Sequence, residues 1–147
     1  MDNQIVLQVA MKAVIVKDGK VLILREAATY GEGTQQGRYH LPGGRVESGE
    51  KFEDALSREV KEETNLEVNL GMPVYVGEWR PVIKGVKHQI IGMFMVCTPK
   101  GNQEIFLSTE HDKYEWVFPA DLSKFDVMEP EGDVIGKAGE MIANNII

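Results

Sequence analysis

The sequence holds a single cysteine, Cys97. One thiol cannot form an intrachain disulfide, and a reducing, cytoplasmic location is the simplest expectation. An excess of basic residues is also missing: 16 Lys and Arg stand against 23 Asp and Glu, a formal net charge of −7. General binding to a nucleic-acid polymer needs a basic face that neutralises phosphates, so that class is excluded. The same charge poses a problem for any phosphorylated ligand, which an acidic surface repels unless a cation lies between them. No apolar run is long enough for a membrane. The start, Met1-Asp2-Asn3-Gln4, has no basic segment, and the apolar stretch after it is broken by Gln8 and Lys12. Neither a signal peptide nor a membrane span is expected. Internal repeats and low-complexity segments are absent as well.

What is present fits an ordinary globular chain. With 147 residues, 43% hydrophobic and 27% charged, the sequence suits one domain over residues 1–147. Ile5 to Val16 is mainly β-branched or apolar and reads as strand. Asp18-Gly19 is a hairpin signal, with Val21 to Leu24 returning. Ala27 to Gly37, rich in Gly, Thr and Gln, reads as a surface loop. Tyr39 to Leu41 leads into a turn at Pro42-Gly43-Gly44. After Gly49 the period changes: Phe52, Ala55, Leu56 and Val60 mark one face of a helix. That helix should stop near Thr64-Asn65, because asparagine tolerates the left-handed conformation of a helix end. Leu66 to Val76 reads as mostly strand and Gln89 to Cys97 as a central strand. Lys100-Gly101-Asn102 marks a turn, and Ile105 to Leu107 and Tyr114 to Phe118 read as further strands. Pro119 to Leu122 opens a short helix. Val134, Ile135, Ala138, Met141 and Ile142 form the stripe of a last one. The fold class is α/β (α+β), with mixed or antiparallel strands and helices on the sheet faces.

The helix after Gly49 breaks its own rules. Glu59, Glu62 and Glu63 are spaced i, i+3 and i+4, which makes them neighbours on one face and mutually repulsive. They lie in the last turns, where the helix dipole disfavours anions. On a helical wheel Glu59 and Glu63 point with Phe52 and Leu56, along the core-facing stripe, where a carboxylate needs a compensating partner. Glutamate runs are usually solvated faces, but a divalent cation would resolve all three conflicts together, and failures of local rules concentrate at functional sites. Oxygen-only ligands select a hard cation, Mg²⁺ first, with Mn²⁺ able to substitute. Such a cation also answers the charge problem, because it lets an acidic site receive phosphate.

These residues sit in a longer pattern. Gly44 is followed by Glu50, then Arg58-Glu59-Val60, Glu62-Glu63 and Leu66. In that spacing the sequence resembles the box of the Nudix hydrolase family, of the MutT-like kind. The family glycine near the end is replaced by Asn65, the best non-glycine residue for a left-handed cap. Lys51 stands where many members carry a capping Ser or Thr. The resemblance implies a Nudix-type α/β/α sandwich with a mixed sheet and a loop–helix–loop metal site. It implies Glu59, Glu62 and Glu63 as metal ligands, joined by a main-chain carbonyl at Gly43 or Gly44, with Arg58 and Glu50 as a supporting ion pair. Glu110, ahead of the Tyr114–Phe118 strand, matches a region that supplies a metal ligand or base in several members. The implied chemistry is metal-assisted hydrolysis of a P–O–P bridge, with Glu62 or Glu110 taking the proton from water and Glu59 beside them at the catalytic centre.

The expected partner is a small nucleotide or related diphosphate, foremost a nucleoside triphosphate. The alternatives are an ADP-ribose or nucleotide-sugar substrate, Pro81 after Trp79-Arg80 being one downstream marker, and a nucleotide-sensing module that cleaves nothing. A homodimer is left open. Arg25 and Arg38 could each contact phosphate, and each could equally be a solvated charge. Trp79 and Trp116 read first as core or half-core residues, as do Met93, Phe94 and Met95. His40, His88 and His111 show no ligand spacing and read as exposed or satisfied. Cys97 reads as buried and inert.

Overall fold

The computed structural model describes residues 4–31, 33 and 35–147. Met1 to Asn3 of the N-terminal reading, and positions 32 and 34 of the expected Ala27–Gly37 loop, lie outside the described residues. Strand β1 (Val6–Lys17) turns through Asp18 and Gly19, at φ 51° and 76°, into β2 (Lys20–Glu26), the hairpin that Asp-Gly signals. Two short strands follow, β3 (Tyr39–His40) and β4 (Gly43–Arg45), then helix α1 (Phe52–Thr64). The long strand β5 (Val68–Trp79) precedes β6 (Val82–Ile83) and β7 (Val86–Pro99). Strand β8 (His111–Val117), a 3₁₀ turn (Pro119–Lys124) and helix α2 (Glu131–Ala143) complete the order.

The sheet runs β3-β2-β1-β7-β5, with β4 beside β1, β6 beside β7 and β8 beside β2. β1 and β7 are parallel and the other pairings antiparallel, so the sheet is mixed as expected. β1 buries a continuous run from Ala10 to Ile15, which means that both faces of the sheet are covered. Alternation divides the residues between the faces. Met11, Ala13, Ile15, Leu22, Leu24, Met95 and Cys97 pack with Leu56 and Val60 of α1. Val14, Val21, Ile23 and Phe94 pack with Val134, Ile135 and Ala138 of α2. The result is the α/β/α sandwich, with the core readings of Phe94, Met95 and Cys97 upheld; burial lifts the Cys97 thiol to about 12.

Three expectations need correction. Ile105 to Leu107 forms no strand. Its neighbourhood is captured by the end of α1: Phe106 N–H donates to the Thr64 carbonyl at 3.0 Å and Ser108 N–H to the Glu63 carbonyl at 3.2 Å. Those carbonyls have no partner within a helix, so the segment serves as their cap. Phe52 is 45% exposed. A side chain in the first helical turn leans toward the N-terminus, past the packed length of the helix, so the buried stripe starts at Ala55 and Leu56. The central strand β7 begins at Val86, earlier than Gln89, because Lys84 and Gly85, at φ 50° and 78°, make a tight two-residue turn with β6.

Candidate active site

Helix α1 starts without a side-chain cap at Lys51, and Glu53 and Asp54 in its first turn oppose the positive end of the dipole. It stops where expected: Asn65 adopts φ 67° and its N–H closes onto the Lys61 carbonyl. The sequence thus places Glu59, Glu62 and Glu63 in the last two turns, against the β4 strand.

Arg58 organises the cluster. Its guanidinium grips Glu50 with two bonds, of 2.7 and 2.9 Å, and reaches Glu59 at 3.0 Å and Glu62 at 3.4 Å. The Arg58 bonds, helped by the Glu47 N–H, hold the Glu50 carboxyl down at about 2. This is the supporting ion pair of the Nudix-like box, and it ties the loop before α1 to the helix. Gly44 leaves room for the Glu59 carboxylate: a Cβ there would come 2.4 Å from the carboxyl carbon. Gly43 N–H donates to Glu63 Oε2 at 3.4 Å.

Glu63 is only 4% exposed. Burial pushes its carboxyl well above the usual range, and the charges of Glu59 and Glu110 push it the same way against Lys12 and the Gly43 N–H. Glu110 therefore comes electrostatically close to the helix from the loop before β8, where its carbonyl accepts Ala27 N–H at 2.8 Å. All candidate donors are carboxylate or carbonyl oxygens, the set a hard divalent cation requires. Glu63, desolvated beside like charges, lacks the counter-charge such an ion would supply. Among the described residues no three acidic or imidazole side chains already surround one point.

A cleft of about 480 Å³ is linked to this cluster through His40, which lines it and whose Nε2 lies 2.6 Å from His111 Nε2, itself 4.0 Å from Glu63 Oε2. Its wall includes Trp79, Ile83, Ile90 and Met128, its rim Arg38, Arg45 and Arg80, and Lys12 and Glu131 also line it. Arg38 reaches the cleft but is held by Asp126, Gln35 and the Val127 carbonyl. Arg25 does not line the cleft; it pairs with Asp112 at 2.7 Å. Trp79 is half-buried, with its indole over Gly92, where a Cβ would meet the ring at 2.4 Å. Trp116 is half-buried against the α1-side core.

The histidines are where sequence reasoning fell short. His111 is 6% exposed, and its Nε2 lies 2.6 Å from His40 Nε2 and 4.0 Å from Glu63 Oε2. His40 Nδ1 meets Lys12 Nζ at 3.2 Å, and Lys12 Nζ meets Glu131 Oε1 at 3.1 Å. Burial, and then the Lys12 charge, depress both rings, His40 well below the usual value and His111 to about 4. His88, by contrast, is satisfied locally by the Val86 carbonyl. The one available signal was a lysine inside the apolar run of β1, which reads on sequence as a mere interruption.

Residues 6–137 match the NUDIX domain family. The chain belongs to the Nudix hydrolase family. It is therefore a hydrolase acting on acid anhydrides of phosphorus-containing compounds, and members of the family use a divalent metal. The chain is similar to the nucleoside triphosphatase NudI of Escherichia fergusonii, 31% identical over 123 residues, covering 77% of this chain and 83% of that protein. It shares its fold with a NUDIX hydrolase from Nitrosomonas europaea, at a TM-score of 0.77 and 19% identity over 97% of this chain and 75% of the other. The MutT protein from Methanosarcina mazei gives a TM-score of 0.72 at 23% identity, covering 98% and 99%. Among the described residues no helix of this Nudix hydrolase is long and apolar enough to cross a membrane.

Proposed function

We propose that this Nudix hydrolase cleaves a P–O–P linkage of a nucleoside triphosphate, releasing a nucleoside monophosphate and pyrophosphate, with Mg²⁺ as the preferred cation and Mn²⁺ as a substitute. The observation that carries the reading is the Glu59–Glu62–Glu63 cluster gathered by Arg58, with Glu63 linked through His111 and His40 to a cleft that has an indole wall and an arginine rim. The nucleoside triphosphatase NudI, to which the chain is similar, agrees with it.

Each part has a role. Glu59, Glu62 and Glu63, with a carbonyl of the Gly43-Gly44 segment, would hold the cation. A divalent ion there offsets phosphate charge and makes water a better nucleophile at neutral pH. Arg58, anchored on Glu50, keeps the acidic residues gathered and limits the rotamers that they sample. Arg45 and Arg80 stand at the rim, where the anionic chain of a nucleotide enters. The Trp79 indole offers a face on which a base can stack. Glu62, more exposed than its two neighbours, and Glu110 are the carboxylates placed to accept the proton of the attacking water.

The test is a panel of nucleotides incubated with and without Mg²⁺, with product analysis. Monophosphate plus pyrophosphate supports the proposal. Two monophosphorylated products would reassign the substrate to a dinucleotide or nucleotide-sugar. Tight binding with no turnover would make the domain a sensor.

A further inference from the structure

Outside the acidic helix, three polar side chains form an unbroken line: buried Lys12 on β1, half-buried His40 on β3 and buried His111 on β8. Lys12 Nζ is 3.2 Å from His40 Nδ1, and His40 Nε2 is 2.6 Å from His111 Nε2. One end rests on Glu131, the first residue of α2, whose Oε1 also accepts the Leu41 N–H at 3.1 Å. The other end stops 4.0 Å from Glu63 Oε2. The line passes where the sheet divides, since β3 pairs with β2 whereas β4 pairs with β1. It therefore joins the cleft and α2 on one side to α1 on the other.

The proton positions along this line are forced. An ammonium only donates, so His40 Nδ1 must accept from Lys12. A neutral His40 then carries its proton on Nε2 and donates to His111 Nε2. His111 is left with its proton on Nδ1, and that atom is buried without a hydrogen-bond partner among the described residues. Apolar side chains would fill this volume at lower cost than two neutral imidazoles, a lysine and an orphaned N–H. The arrangement does accomplish one thing. His111 occupies the space beside Glu63, and its ring is fixed in turn by His40, Lys12 and Glu131. Glu63 is thereby confined to the side where Gly43 N–H and Glu59 lie.

We propose that Lys12, His40 and His111 are positioning residues for the hydrolysis: their hydrogen-bonded line holds Glu63 in place for the cation, in register with the cleft that seats the nucleotide. The inference rests on the function proposed above. Supporting contacts behind metal ligands characteristically affect affinity or activity by about 10–100-fold, and that is the expected size here.

Wild-type turnover of nucleoside triphosphates with Mg²⁺ tests the functional reading alone. The positioning role is tested in three further ways. His111→Phe keeps a ring but removes both nitrogens. It should lower kcat and weaken Mn²⁺ binding, followed by electron paramagnetic resonance without nucleotide, each by about 10-fold or more, while KM for the nucleotide stays close to wild type. His111→Gln, which restores a polar partner for His40, should recover much of both losses. Long-range ¹H–¹⁵N spectra of the wild-type protein should show His40 protonated on Nε2 and His111 on Nδ1, a readout independent of variant folding. Unchanged kcat and Mn²⁺ affinity in His111→Phe, a loss expressed only in KM, or the opposite tautomers would each overturn the proposal. Correct tautomers and weakened Mn²⁺ binding in a protein that cleaves no nucleotide would instead retain the line and defeat the functional reading.

Discussion

Replacing Glu63 with glutamine should make the metal-free protein more stable while removing its cation site. The reasoning starts from a carboxyl that is 4% exposed, with Glu59 and Glu110 adding negative charge and only a 3.4 Å bond from Gly43 and the field of Lys12 in its favour. An unfolded glutamate titrates near 4.5, and the folded one is held well above that value. Between the two, the folded state binds more protons than the unfolded state, so stability falls as pH rises. Below 4.5 both states are protonated and the penalty vanishes. Glutamine keeps an acceptor for Gly43 N–H and carries no charge. A buried polar group short of partners costs about 1–3 kcal/mol, more when charged. A gain of ~2 kcal/mol raises Tm by about 4–8 °C in a domain of this size. The assay is thermal or urea unfolding at pH 5 and pH 8, in chelator and in excess Mg²⁺. Glu63→Gln should exceed wild type at pH 8 in chelator and lose most of that advantage at pH 5. In Mg²⁺ the order should invert, because ligand at about 100 times Kd stabilises only the protein that binds it, by about 2.7 kcal/mol. A glutamine variant that is less stable at pH 8 without metal, or a gap that ignores pH, would refute the argument.

Three further outcomes follow from the same geometry. Glu62 has a side chain 58% exposed, so Glu62→Gln should leave Tm nearly unchanged while turnover drops by about 10²-fold or more; near-normal rates would remove Glu62 from the mechanism. Gly44→Ala places a Cβ 2.4 Å from the Glu59 carboxyl carbon and should abolish Mn²⁺ binding in a calorimetric titration, whereas Gly136→Ala on α2, where a Cβ meets nothing within 4 Å, should bind Mn²⁺ like wild type. Glu50, held at about 2 by Arg58, contributes stability that is complete above the ordinary value of 4.5 and is lost as pH falls through its folded value; an acid unfolding series should show this component in wild type and lack it in Glu50→Gln.

The sequence made the acidic helix legible because a local code specified it. Its apolar stripe set the period, Asn65 set the stop, and the carboxylate spacing violated helix electrostatics in a way that a divalent cation would relieve. The failures share a cause. Ile105 to Leu107 has the composition of a strand, but the unpaired carbonyls of Glu63 and Thr64 compete for its neighbourhood, and that competition exists only after α1 has docked. Phe52 follows the correct period and loses burial because a stripe cannot tell how far the packed surface extends. Arg25 and Arg38 are indistinguishable as cations in a sequence, and the fold commits them to Asp112 and Asp126.

The histidines show the limit most clearly. A metal-ligand search looks for short spacings, whereas Lys12, His40 and His111 meet only because β1, β3 and β8 converge where the sheet divides. Apart from the place of Lys12 inside an apolar run, nothing along the chain distinguishes them from surface residues. What does connect them to the acidic helix is cost. Glu63 is a carboxylate in a desolvated place, His111 retains an orphaned N–H, and Lys12 interrupts the buried run from Ala10 to Ile15. The first two are unfavourable alone, and all three lie on one path between the two helices. Independent accidents of packing would scatter over the core. A single path implies a common demand, and the demand that fits the proposed function is a carboxylate held in one place at the end of a line that starts in the cleft.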